Sequence, residues 1–240
     1  MMNHHERYDE IDLLRTLAVL GMIVYHFVYD LWSFTETAID PFSGAWLVLA
    51  RATAILFLLL VGMSFAISWD RAKARGLHGW ALYKKYLKRG IGVLLCGLLI
   101  SVATYLMDAE TYVRFGILQL IGTSILLLPL LTRFREWNAA IGAAIIVVGM
   151  FLGQPGHWLL LPFNFFPADF RSVDYFPLLP WFGVVLLGYA AGHALYVRGL
   201  LTGHLSLPAW LTLPGRFALW IYLLHQPILL GILTLAVRKP

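Results

Sequence analysis

Residues 11–31 read IDLLRTLAVLGMIVYHFVYDL. Wound as a helix, this run is about 32 Å long, enough to cross a hydrocarbon core of about 30 Å. It has almost no polar face apart from Asp12, Arg15, His26 and Asp30. Arg15 and His26 are eleven steps apart, and eleven steps of about 100° return to within about 20° of the same face. Asp30 follows one turn after His26, on that face and within reach of the imidazole. A helix this apolar, with a few ionisable groups aligned along it, reads as a membrane span with a functional stripe.

The rest of the chain agrees. Six further apolar runs follow at 45–69, 90–107, 115–132, 137–153, 177–197 and 216–237. Of the 240 residues, 60% are hydrophobic and 13% charged, against about 25% charged in a soluble domain. Mean hydropathy is +0.76. These values exclude a disordered chain, a coiled coil and a disulfide-rich secreted module. Cys96 is the only cysteine and lies inside an apolar run, so no internal disulfide and no cysteine-based metal site is expected. The acidic opening MMNHHERYDE is unlike the basic start of a signal peptide. The expected fold is all-α, a polytopic membrane helix bundle of about seven spans forming a single domain over residues 1–240. Residues 154–176 hold Pro155, Gly156, Pro162, Pro167 and the aromatic run Phe163–Phe166, and read as a loop or re-entrant segment at the membrane interface.

The net charge of +5 reports topology rather than nucleic-acid binding. With the N-terminus inside, twelve basic residues fall on the cytoplasmic side: Arg7, Arg71, Lys73, Arg75, Lys84, Lys85, Lys88, Arg89, Arg133, Arg135, Arg198 and Arg216. Four fall outside: Arg114, Arg171, Arg238 and Lys239. The first outer loop carries Glu36 and Asp40 and no basic residue. The positive-inside bias therefore puts the N-terminus in the cytoplasm.

Each ionisable group at membrane depth is a functional candidate. Counted by rise per residue, His26 lies about 10 Å from the outer surface, and Arg51 reaches a similar depth from the second span. Gln119 lies slightly nearer the outer surface. Asp174 and Arg114 mark the outer entrances of their spans. His225 is near the midplane of the last span, about 9 Å from His26 in depth, which disfavours a haem held between the two. Pro227 is expected to loosen that span. Asp12, Arg15 and His193 sit near the surfaces, where snorkelling explains them equally well. His78, His157 and His204 read as solvated loop histidines.

Five stretches carry a resemblance: IDLLRTLAVLGMIVYHFVYDL, LFLLLVGMSFAIS, FGILQLIGTSILLL, VDYFPLLPWFGVVLLG and LWIYLLHQPILL. Together they resemble the bacterial branch of the heparan-alpha-glucosaminide N-acetyltransferase catalytic-domain family, in family order over residues 11–230. The Arg15-x10-His26 spacing is similar to a signature of transmembrane acyltransferases. The resemblance implies transfer of an acetyl or acyl group from cytoplasmic acyl-CoA, acetyl-CoA above all, to a sugar or amino-sugar acceptor on the outer side. It carries an active-site position onto His26 and a last-span histidine onto His225. Eukaryotic members have a further histidine in the following luminal loop; here no histidine lies between Asp30 and Trp69, which leaves His26 as the main candidate. The implied location is the bacterial inner membrane.

The residue layout fits that chemistry. His26 can act as general base on the acceptor or as a transient acyl carrier, with Asp30 orienting it. Arg51, Gln119 or His225 can donate to the oxyanion. Arg15 and the basic loop Lys84, Lys85, Lys88 and Arg89 can hold the CoA phosphates. Gln119, Asp174 and Trp181 are the candidates for holding the acceptor. No metal or haem is expected. The competing reading is a proton-coupled or small-solute transporter built on the same His/Asp/Arg cluster, although no inverted repeat is visible. The small-residue runs Gly142–Ala144 and Gly188–Gly192 allow close helix packing, either within the chain or across a homodimer.

Overall fold

The computed structural model describes residues 7–35, 37–153, 155–201 and 205–237. Glu36, His204, Arg238, Lys239 and the first six residues, used in the topology argument, lie outside the described residues. The chain is all-α. Its helices are α1 (Asp9–Phe34), α2 (Gly44–Ala74), α3 (Gly79–Met107), α4 (Ile117–Leu131), α5 (Asn138–Phe151), α6 (Leu178–Gly192), α7 (Ala209–Arg216) and α8 (Ala218–Val237). Among the described residues there is no strand beyond the isolated bridges Phe115–Tyr175 and Pro155–Phe166. Among the described residues, six stretches are long and apolar enough to cross a membrane. Their outward faces stay apolar, as in Leu95, Leu99, Leu106, Met150 and Phe151. That is the surface a polytopic protein offers to lipid.

Two compact units are present. The first holds α1, α2 as far as Phe57, α7 and α8. Its framework is the pairing of α1 with the α7–α8 stretch, which run in the same sense. Thr16 Oγ1 donates to Leu211 O at 2.7 Å and accepts from Gly215 N at 2.9 Å. A Cβ on Gly215 would strike the Asp12 carbonyl, so glycine is what lets the two backbones meet. On α1 the residues Asp12, Thr16, Val19, Met22, His26 and Asp30 recur every three or four positions and form one stripe. α8 continues through Pro227, so the expected loosening does not end the helix.

The second unit spans Leu58–Thr202. Here α3 differs from expectation. It begins at Gly79, eleven residues before the apolar run, so Lys84, Lys85, Lys88 and Arg89 stand on a helix and not in a loop. The reason is a stripe at helical spacing: Leu82, Tyr86, Gly90, Gly97 and Ser101 are all buried, while the four basic residues are exposed.

The stretch Ile117–Phe151 is interrupted at Arg135, whose backbone has φ 45° and ψ −122°. Its halves run in opposite directions along α6. Ile117 N donates to Asp174 just before α6, and Tyr189 OH donates to Thr132 O at the far end. Gly142 then packs on Gly183 and Gly149 on Pro180 as α5 returns. Buried Asn138 pins the reversal by donating from Nδ2 to Leu131 O and Arg135 O, both at 2.9 Å. The two small-residue runs are used inside this unit. Gly142 abuts α6, and Gly188 and Gly192 abut Leu59 and Met63 of α2. Their packing is thus explained without a homodimer. Residues 155–176 form a loop with a short 3-10 turn at Trp158–Phe163.

Candidate active site

His26 of α1 and His225 of α8 meet edge to face, with ring centroids 4.7 Å apart and planes at 80°. Each ring is held the same way. His26 Nδ1 lies 2.9 Å from Met22 O, and His225 Nδ1 lies 2.7 Å from Tyr222 O. A carbonyl only accepts, so both Nδ1 atoms carry the proton and both Nε2 atoms present a lone pair. His225 Nε2 is buried with no protein partner. In this tautomer its free nitrogen accepts, and it donates to an oxyanion only once protonated.

The depth argument is corrected as well. It set the first and last spans to begin level with each other. Gly215 instead packs beside Asp12 and Arg15, so α8 starts about 9 Å deeper than that and His225 meets His26. The haem argument from unequal depths lapses with it.

Asp30 is buried one turn beyond His26, but its partner is not the imidazole. Asp30 Oδ1 accepts from Gln226 Nε2 at 2.6 Å. Asp30 Oδ2 and Gln226 Oε1 are buried with no protein partner. His26, Asp30, His225 and Gln226 thus form one polar island, with three buried polar atoms unpaired. Such atoms are costly unless something fills them. Gln226 was missed as a site residue. Its signal was adjacency to His225 in LLHQP.

At the start of α1 the charges form a network. Asp12 is buried and receives Arg15 at Oδ1 and Arg216 Nε at Oδ2 (3.3 Å). Arg216 Nη2 also reaches Asp9 at 3.2 Å, and Asp9 Oδ2 accepts from Leu207 N. Arg15 is thereby a structural ion-pair member, whatever else it binds. Arg51 stands on the part of α2 that faces α1, and its charge reaches Tyr25, the neighbour of His26. Leu49 and Thr53 flank Gly21, which puts Arg51 level with Gly21, about 7 Å along α1 from His26, and its side chain is exposed in this structure.

The remaining candidates belong to the second unit. Gln119 is committed between α3 and α4: Nε2 donates to Gly97 O (3.0 Å) and Ser101 Oγ (2.7 Å), and Oε1 accepts from Gly116 N (3.0 Å). Both amide hydrogens are used, so the expected donation to an oxyanion or acceptor is corrected to a structural role. Asp174 Oδ2 accepts from Ile117 N at 3.1 Å and caps α4. Burial pushes its carboxyl up to about 6, against the pull of that hydrogen bond. Trp181 opens α6 and packs against Phe176 with centroids 4.9 Å apart. His193 does not merely snorkel: its Nδ1 lies 3.0 Å from Glu136 Oε1, which Arg198 also reaches at 3.2 Å. Arg114 lies over the rings of Tyr112, Trp158 and Phe170, tying the 108–116 turn to the 155–176 loop.

The sequence matches the model of the family described as heparan-alpha-glucosaminide N-acetyltransferase, catalytic, over residues 7–227. The chain belongs to this family. The match runs from just before α1 to just past Gln226, so it takes in both histidines of the polar island. Family membership makes the chain a membrane acetyltransferase in general terms. No curated protein and no solved structure matches it.

Proposed function

We propose that the chain moves an acetyl or other acyl group from cytoplasmic acyl-CoA to a sugar or amino-sugar acceptor on the outer side of a bacterial inner membrane. The supporting observation is the His26–His225 pair, two imidazoles locked by backbone carbonyls with their Nε2 lone pairs free. Family membership favours this reading over a transporter.

In the direct route, His26 Nε2 takes the proton of the acceptor hydroxyl or amine as that atom attacks the thioester carbonyl carbon. The tetrahedral intermediate collapses, the carbon–sulfur bond breaks, and the CoA thiolate recovers the proton from His26. In the two-step route, His26 Nε2 attacks the thioester carbon and CoA leaves as the thiolate; the acceptor then attacks the acyl carbon, expelling the His26 imidazole as the acceptor's proton passes to His225 Nε2. In either route His225 Nε2 is a second proton acceptor beside the first, and the Asp30–Gln226 pair keeps the island polar. Lys84, Lys85, Lys88 and Arg89 on α3 give the N-in topology an exposed cytoplasmic patch to attract the CoA phosphates. Arg15 marks the same side on α1. Asp174 and Trp181 lie near the outer turns for the acceptor.

The test is purified protein in nanodiscs with acetyl-CoA and a panel of amino sugars. Free CoA should accumulate only when both are present. CoA release from no acyl donor under any acceptor would overturn the reading.

A further inference from the structure

The second unit holds a cavity of about 260 Å³ lined by Ala66, Trp69, Asp70, Lys73, Thr132, Arg135, Tyr189, His193 and Val197. It is distinct from the histidine pair and uses none of the basic residues of α3. Three irregularities converge on it. Arg135 has a positive φ that a non-glycine residue rarely adopts, held by Asn138. His193 begins a π-helical turn over His193–Val197, and such turns recur at functional sites. Trp69 has its indole Nε1 buried with no protein acceptor.

The positions are fixed by their neighbours. Trp69 stacks on Phe65 and meets Tyr86, and Lys73 Nζ lies 5.8 Å from the Trp69 ring centre. Glu136 holds the His193 ring. The wall therefore carries two cations (Lys73 and Arg135), an unpaired indole N–H and one carboxylate (Asp70). Cations with an N–H suit phosphate oxygens, and a carboxylate beside them suits the hydroxyls of the sugar that bears the phosphate. The volume is below the usual range of ligand pockets, about 300–1,000 Å³, so it suits part of a large ligand. The three lining segments come from stretches that the charge bias assigns to the cytoplasm.

We infer that this cavity binds the phosphorylated ribose end of the acyl-CoA donor, with Lys73, Arg135 and Trp69 Nε1–H on phosphate and Asp70 on a ribose hydroxyl. The inference rests on the acyl-CoA reading of the function. Lys73, Arg135 and Trp69 are then donor-binding residues.

The probe is adenosine 3′,5′-bisphosphate titrated by calorimetry into the full chain in nanodiscs. Saturable binding is expected, displaced by CoA, and weakened about tenfold or more by Lys73→Ala or Arg135→Ala. Arg133→Ala, which removes an exposed charge at the same turn but outside the cavity, should leave binding within about twofold. Displacement of the bisphosphate by phosphatidylglycerol as readily as by CoA would overturn the assignment in favour of a lipid headgroup. Displacement by inorganic phosphate alone at matched concentration would reduce the cavity to a simple anion site and overturn it equally. Both competitions use the unmodified protein, so they decide the matter even if a variant fails to fold. If wild-type protein transfers acyl groups but binds no bisphosphate, this inference falls and the acyltransferase stands. If it binds the bisphosphate but releases no CoA, the function falls and the cavity stands.

Discussion

His26 and His225 come from helices nearly two hundred residues apart in sequence, yet their imidazoles are in edge-to-face contact with centroids 4.7 Å apart. Both protons sit on Nδ1, so the free nitrogens of the pair are bases. Replacing His225 by Phe keeps an aromatic edge against His26 and removes only the second base. We expect turnover to fall by about a hundredfold with little change in melting temperature. Unchanged turnover would make His225 a packing residue.

The Asp30–Gln226 hydrogen bond, at 2.6 Å, is a second polar link between α1 and α8 beside the histidines. Asp30→Ala leaves the Gln226 amide buried and unpaired, at a cost of about 1–3 kcal/mol. Gln226→Leu leaves Asp30 as an isolated buried acid and costs at least as much. The double variant should be more stable than the sum of the two losses implies, read from melting in detergent. Strict additivity would mean the pair does not interact.

Much of this arrangement was legible in the sequence. Seven apolar runs located every helix except α7 because a lipid-facing helix needs an unbroken apolar surface, and the face shared by Arg15 and His26 followed from helical period alone. The His26–His225 contact was not legible. Depth was counted from a common surface, and the Asp12–Gly215 backbone contact that shifts α8 is a tertiary fact. The α3 extension was hidden because its basic residues read as a loop, while the Leu82–Tyr86–Gly90 stripe beneath them decides the helix. Gln119 read as a substrate ligand because the sequence does not reveal that Gly97 and Ser101 face it.

Asp174 gives a pH signature outside the membrane spans. Its carboxyl is raised to about 6 from 3.8 because burial penalises the charge. The protonated form is the one the fold favours, so stability is lost as pH rises between about 4 and 6 and the loss is complete above that. Asp174→Asn keeps an oxygen for Ile117 N and removes the charge. It should be at least as stable as the parent at pH 7, with the advantage vanishing near pH 4. A variant less stable than the parent at pH 7 would show that the ionised cap outweighs its burial.

Glycines separate packing from propensity. A Cβ on Gly188 would collide with the backbone of Leu59, whereas Gly92 has nothing within 4 Å. Gly188→Ala should lower the melting temperature markedly, by about 1–3 kcal/mol or more in stability. Gly92→Ala should be neutral or stabilising by up to about 1 kcal/mol, from helix propensity. The reverse order would contradict the α2–α6 contact described for the second unit.

The central claim is that His26 performs the transfer. The measurement is CoA release by purified His26→Ala protein, with acetyl-CoA and whichever amino sugar supports turnover in the parent. The account predicts a loss of at least about a hundredfold with an unchanged melting temperature. Turnover near that of the parent would contradict it.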